Sequence, residues 1–171
     1  MEELPKRKHP RLKEYDYSQN GCYFVTICTE KRVQILSKIV GRGLAPAEKE
    51  YEIRLTQYGK IVQQQLLDLE KRFENIVIDY YCVMPNHIHV IIMINETAGA
   101  SPRPTLSDIV CSFKSLTTRV INKSDNKSGR KVFQTSFYEH IIRTEKDLFE
   151  TRSYIENNPI KWETDEYYNK V

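Results

Sequence analysis

The chain has 171 residues, 40% of them hydrophobic, and a formal net charge of +3. That is enough for one domain with one core, and the charge by itself implies no nucleic-acid partner. No apolar run reaches the roughly 18 residues of a membrane span and no N-terminal signal pattern is visible, so a soluble, cytoplasmic protein without a membrane partner is expected. Cys22, Cys28, Cys82 and Cys111 are scattered without a C-x-x-C pair, which argues against a disulfide framework or a thiolate zinc site.

Charge is segregated. Lys6, Arg7, Lys8, Arg11 and Lys13 form a basic arm within residues 1–20. Lys114, Arg119, Lys123, Lys127, Arg130 and Lys131 form a second cluster, opposed between Thr105 and Lys131 only by Asp108 and Asp125. Such clusters suit a phosphate backbone, though solvated surface segments produce the same pattern.

In chain order, the aromatic and β-branched stretch Cys22 to Thr29 predicts a strand, with Val33 to Val40 extending or following it. Gly41 to Pro46 is a loop, and Tyr51 to Leu55 a short returning strand. Thr56 is an N-cap for a helix to about Arg72, with Tyr58, Ile61, Val62, Leu66, Leu69 and Phe73 as its apolar stripe. Ile76 to Val83 is a second central strand, leading directly into the histidine-bearing strand below, so the two pair antiparallel. Asn95 to Pro104 is a loop. A helix capped by Thr105 or Ser107 runs to about Ile121, with Leu106, Ile109, Val110, Phe113, Leu116 and Val120 inward. Val132-Phe133 and Phe137 to Ile142 are extended. Thr144, with Asp147 three residues on, forms a capping box for a last helix reaching about Asn158, which Pro159 ends. Strand, helix, strand, strand, helix, strand describes a ferredoxin-like α+β domain: an antiparallel sheet with helices on one face, followed by an extra C-terminal helix. No repeat or second domain is visible in residues 1–171.

The most informative stretch is Met84-Pro85-Asn86-His87-Ile88-His89-Val90-Ile91-Ile92-Met93-Ile94. Ile88, Val90, Ile92 and Ile94 alternate with the period of a strand facing a core, which places His87 and His89 together on the other face. Residues i and i+2 of a strand are about 6.5–7 Å apart, so two imidazoles can converge on one cation. An H-x-H pair alone is a common pattern; it needs a third ligand and a reactive group. Tyr154 and Asn158, four apart, share a face of the last helix and can supply a phenol and an amide carbonyl. A phenol at its ordinary pKa of about 10 is a weak nucleophile and needs activation. Tyr138, in Phe137-Tyr138-Glu139-His140, is a rival, and the residues themselves do not choose between the two tyrosines.

Three ordered motifs resemble a known family. Pro85-Asn86-His87-Ile88-His89 resembles the His-hydrophobic-His (HUH) motif of the single-tyrosine transposases of insertion sequences. Phe133 to Arg143 and Tyr154 to Pro159 resemble, respectively, the Q-x-S-F/Y-Y-D/E-H-x-I-R and Y-I-x-x-N-P segments of REP-associated tyrosine transposases. The resemblance runs from about Gly21 to Trp162. It implies Tyr154 as the nucleophile, His87, His89 and Asn158 as ligands of Mg²⁺ or Mn²⁺, and a structural or positioning role for His140. It further implies a metal-dependent enzyme that nicks and joins single-stranded DNA near hairpins through a 5′-phosphotyrosine. Lys6, Arg7, Lys8 and Arg11 would meet the backbone or the hairpin foot, and Lys114 and Arg119 the backbone track. The family contains homodimers and monomers, and the resemblance leaves the assembly open. A competing reading on the same fold is a domesticated, non-catalytic regulator that binds hairpin DNA or RNA; an unrelated hydrolase using the two histidines is a third.

Overall fold

The computed structural model describes residues 20–41, 51–96 and 104–168. The basic arm, with Lys6, Arg7, Lys8 and Arg11, and most of the loop after Gly41 lie outside them. Six strands are described: β1 (Gly21–Cys28), β2 (Ser37–Gly41), β3 (Tyr51–Leu55), β4 (Ile76–Val83), β5 (His87–Ile94) and β6 (Tyr138–Ile142). The α-helices are α1 (Gln57–Leu67), α2 (Leu69–Arg72), α3 (Leu106–Ser124) and α4 (Glu145–Asn157). No described helix is long and apolar enough to cross a membrane.

β1, β4, β5 and β6 form one antiparallel sheet in the order β4-β5-β1-β6, the strand order of the ferredoxin-like fold, whereas β2 and β3 pair as a separate hairpin. The expected α+β architecture is therefore present. Alternation divides β1 and β5 between two cores. Tyr23, Val25 and Ile27 join Ile88, Val90 and Ile92 in one cluster with Val62 and Leu66 of α1 and Ile109, Val110 and Phe113 of α3. Phe24 and Ile91 face the other way and meet Ile142 and Ile155, the latter on α4. α1 and α3 thus cover one face and the tyrosine-bearing helix covers the other.

Local chemistry explains the boundaries. Thr105 caps α3 in a full capping box with Asp108, whose carboxylate accepts from Thr105 N at 2.8 Å while Thr105 Oγ1 accepts from Asp108 N at 3.2 Å. The expected box at Thr144 is half formed. Thr144 Oγ1 accepts from Asp147 N at 3.1 Å, but the Asp147 carboxylate turns to His140 Nε2 and to Arg143 N. Val120, expected inward on α3, is exposed, whereas Thr117 and Ile121 are buried. The expected single helix to Arg72 divides at Asp68 into α1 and α2.

Candidate active site

The β4–β5 turn prepares the histidines. Pro85 and Asn86 form its tip, and Met84 N donates to His87 O at 2.9 Å. Three bonds hold this tip to the body: Thr29 N to Asn86 O at 2.9 Å, Leu36 N to Pro85 O at 2.9 Å, and Thr29 Oγ1 to Asn86 O at 3.0 Å. β5 pairs with β4 on one side and β1 on the other, so the backbone carrying both histidines is fixed along its length.

Each imidazole is oriented through its Nδ1. His87 Nδ1 lies 2.9 Å from Asn86 Oδ1, and His89 Nδ1 lies 2.9 Å from Thr26 Oγ1. The two Nε2 atoms converge at 3.0 Å. Burial holds His89 down to about 3, and it holds His87 well below the usual histidine value, helped by His89 and Arg32. Both rings are therefore neutral at physiological pH, with lone pairs available to a cation. Two ligands at right angles, each about 2.1 Å from one ion, stand about 3.0 Å apart, so the Nε2 pair fits a divalent metal. Asp165 contributes a carboxylate oxygen that lies within 4.8 Å of the histidine ligand atoms.

α4 carries Tyr154 over this pair. Its ring centroid is 5.3 Å from that of His89 and 5.9 Å from that of Phe24. Three ties from other elements seat the helix. A β-bulge between Ile78 and Tyr80 interrupts β4, and Asp79 there takes both Nε and Nη2 of Arg152. Tyr51 donates to Glu156 O at 2.9 Å, and His140 Nε2 lies 3.0 Å from Asp147 Oδ2. His140 thus faces the first turn of α4. Tyr138 lies on edge strand β6, half exposed, with its ring 6.3 Å from Phe24. Among the described residues it makes no ring contact with either histidine.

Tyr154 opens into a groove of 560 Å³ lined by Glu150, Asp165, Glu166 and Lys161 among others. Three carboxylates against one ammonium make the groove hostile to phosphate until a cation enters. Burial, followed by Asp165 and Glu166, pushes the Tyr154 phenol up to about 12, while the Asn158 amide beside it opposes the shift. Asn158 is buried; its Nδ2 donates to Asp165 Oδ2 at 2.7 Å, and its Oδ1 has no hydrogen-bond partner among the described residues.

The structure therefore brings together His87, His89, Tyr154 and Asn158. It does not bring Lys114 and Arg119 to them. Both lie on α3, across the sheet, where Lys114 Nζ donates to Thr135 O at 2.8 Å. Sequence reading missed Thr26, Arg32 and Asp165, and gave Asn86 no role of its own within the HUH-like segment.

Comparison with known proteins gives the family and the fold. The family of IS200-like transposases matches residues 18–158. An uncharacterised protein of Haemophilus influenzae is 33% identical over 178 residues, spanning 95% of this chain and 93% of that protein. A second protein of that organism, provisionally named a REP-associated tyrosine transposase, is 26% identical, spanning 85% of this chain and 74% of its own. A solved REP-associated tyrosine transposase bound to a REP hairpin shares the fold at TM-score 0.60 and 22% identity, spanning 88% of this chain and 74% of that one. Together with the three ordered motifs, the match over residues 18–158 places this chain in the IS200-like transposase family, beside the REP-associated tyrosine transposases.

Proposed function

We propose that the protein is a metal-dependent enzyme that nicks and rejoins single-stranded DNA beside a hairpin, with Tyr154 as nucleophile. The observation that carries this reading is the seating of Tyr154, from α4, on His89 of β5 at 5.3 Å between ring centroids. Neutral, pre-oriented imidazoles and a neighbouring carboxylate form the donor set, and the mixed nitrogen and oxygen ligands suit Mn²⁺ better than Mg²⁺. His87 and His89, with an oxygen donor from Asn158 or Asp165, would hold a divalent cation, which would polarise the scissile phosphate and offset its developing negative charge.

Tyr154 Oη attacks phosphorus, its proton leaving as the new O–P bond forms. The bond from phosphorus to the 3′ oxygen breaks, and that oxygen takes up a proton as a 3′-hydroxyl. The product is a 5′-phosphotyrosine. Because one phosphate ester replaces another, a second 3′-hydroxyl reverses the exchange and joins strands without ATP. A phenol at about 12 is almost wholly protonated at neutral pH, so Tyr154 awaits positive charge in the groove before it acts. His140 positions the first turn of α4 through Asp147. Lys114 and Arg119, and the arm residues Lys6, Arg7, Lys8 and Arg11, are proposed to meet the DNA backbone away from the reacting phosphate.

The test uses 3′-labelled single-stranded hairpin DNA from the sequence flanking the coding region, with Mn²⁺ or EDTA, on denaturing gels. A labelled protein band that requires metal and disappears in Tyr154→Phe but persists in Tyr138→Phe is expected. Disappearance only in Tyr138→Phe would move the nucleophile to β6. Tight hairpin binding without any covalent band would make the chain a regulator.

A further inference from the structure

The segment that follows the tyrosine helix folds back over the histidines. Residues 158–164 form a 3-10 helix with Trp162 buried, and the chain then turns at Asp165 to bring Tyr167 onto the pair. The Tyr167 ring lies 4.7 Å from His87 and 6.1 Å from His89. Two residues near the histidine turn hold it there. Asn86, already bonded to His87, donates Nδ2 to Tyr167 O at 2.7 Å, and Arg32 donates Nη1 to Glu166 O at 2.9 Å while its guanidinium stands 5.0 Å from the Tyr167 ring centroid.

We propose that Asp165 is the third ligand of the cation held by His87 and His89, with Asn158 acting through it, so that binding the cation and closing this segment over the histidines are one event. The proposal rests on the reading of the two histidines as metal ligands. A carboxylate oxygen of Asp165 and one ring nitrogen of each histidine all lie within 4.8 Å of one another. Both carboxylate oxygens are aimed by hydrogen bonds, Oδ2 by Asn158 Nδ2 and Oδ1 by Tyr167 N, each at 2.7 Å. Neither bond supplies a formal positive charge, and among the described residues no lysine or arginine forms an ion pair with Asp165. Asn158, at the position the motif resemblance assigns to the third ligand, is committed through its amide nitrogen to orienting Asp165. Its Oδ1 is buried without a hydrogen-bond partner among the described residues. A carboxylate adds a negative charge that an amide lacks, and hard divalent cations favour it.

Calorimetric titration of the full chain with Mn²⁺ tests this. Asp165→Asn keeps the shape and the acceptor for Tyr167 N but sets an amide nitrogen against Asn158 Nδ2; circular dichroism and Tm check that the variant folds, and its Mn²⁺ affinity is expected to fall at least tenfold. Asn158→Ala is expected to weaken binding in the wild-type background and to change it less than twofold in the Asp165→Asn background, because its effect runs through the carboxylate. Amide exchange supplies the second reading: Mn²⁺ slows exchange at Tyr167 and Tyr168 in the wild type but not in Asp165→Asn. Wild-type affinity in Asp165→Asn, with binding lost in His87→Ala, would overturn the proposal and leave the histidine site standing. A full further loss from Asn158→Ala on the Asp165→Asn background would make Asn158 an independent ligand and overturn it equally. Mn²⁺ binding that His87→Ala leaves unchanged would remove the histidine site itself.

Discussion

Thr26 Oγ1 and His89 Nδ1 meet at 2.9 Å between β1 and β5. The contact is buried, so removing the hydroxyl strands a ring nitrogen where water does not replace it. Thr26→Val, nearly equal in volume, is expected to lower stability by about 1–3 kcal/mol. It is also expected to weaken Mn²⁺ binding by roughly 10–100-fold, as the ring loses the partner that fixes its tautomer and tilt. Denaturant unfolding and calorimetric titration measure the two effects separately; unchanged metal affinity would make Thr26 a packing residue only.

Acid should weaken the fold before the carboxylates titrate. His87 and His89 have folded values depressed by burial, the latter to about 3. The unfolded chain therefore binds protons that the folded chain refuses. Their contribution is fully present above the ordinary histidine value of about 6.5 and declines as pH falls below it. Each histidine adds a slope approaching about 1.4 kcal/mol per pH unit. Melting curves between pH 7 and 5 are expected to fall steeply in the wild type and to flatten in a His87→Gln, His89→Gln double variant. Parallel curves would assign the acid sensitivity elsewhere.

Ile155 joins the tyrosine helix to the sheet. Fully buried against Phe24, Ile91 and Ile142, it belongs to the small cluster beneath Tyr154. Ile155→Ala is expected to cost about 2–5 kcal/mol. Hydrogen exchange is expected to accelerate across Glu145–Asn157, and the yield of covalent protein–DNA adduct to fall, with Mn²⁺ affinity nearly intact. A parallel loss of metal binding would mean that α4 and the histidine strand unfold together.

Gly59 lies on α1 yet bears on the histidine turn. A Cβ there would stand 2.0 Å from Leu36 O, and Leu36 N donates to Pro85 O at the histidine turn. Backbone cannot swing aside as a flexible side chain can. Gly59→Ala is expected to destabilise by about 1–3 kcal/mol or more, read as a lower Tm, and to broaden the NMR signals of Asn86 and His87. A helix-propensity gain without loss of Tm would show that Leu36 yields freely.

The part of this molecule legible in the sequence is the part with a period or a cap. Alternation from Ile88 to Ile94 correctly put the histidines on the face opposite the core shared with α3, and Thr56 and Thr105 marked their helices. The bulge that aims Asp79 at Arg152 was invisible, because a bulge is an irregularity of pairing, not of composition. Asp165 was illegible for a different reason: its approach to the histidines depends on a 3-10 segment and on Asn86 and Arg32, contacts long in sequence and without repeat. Asn86 was in view only as a member of the HUH-like segment; the amide that aligns His87 also grips Tyr167.

β1 lies in the middle of the sheet, although it comes first in the described chain, and its neighbours β5 and β6 are synthesised much later. The hydroxyl that aligns His89 comes 63 residues before it. A nascent chain therefore holds an unpaired, aromatic-rich strand until the second half has left the ribosome, and loop closure over that span makes the sheet slow to assemble. Tyr154, on α4, emerges later still. During translation the chain carries its histidines without Tyr154, so the chemistry proposed for the pair has to wait for the last helix to dock.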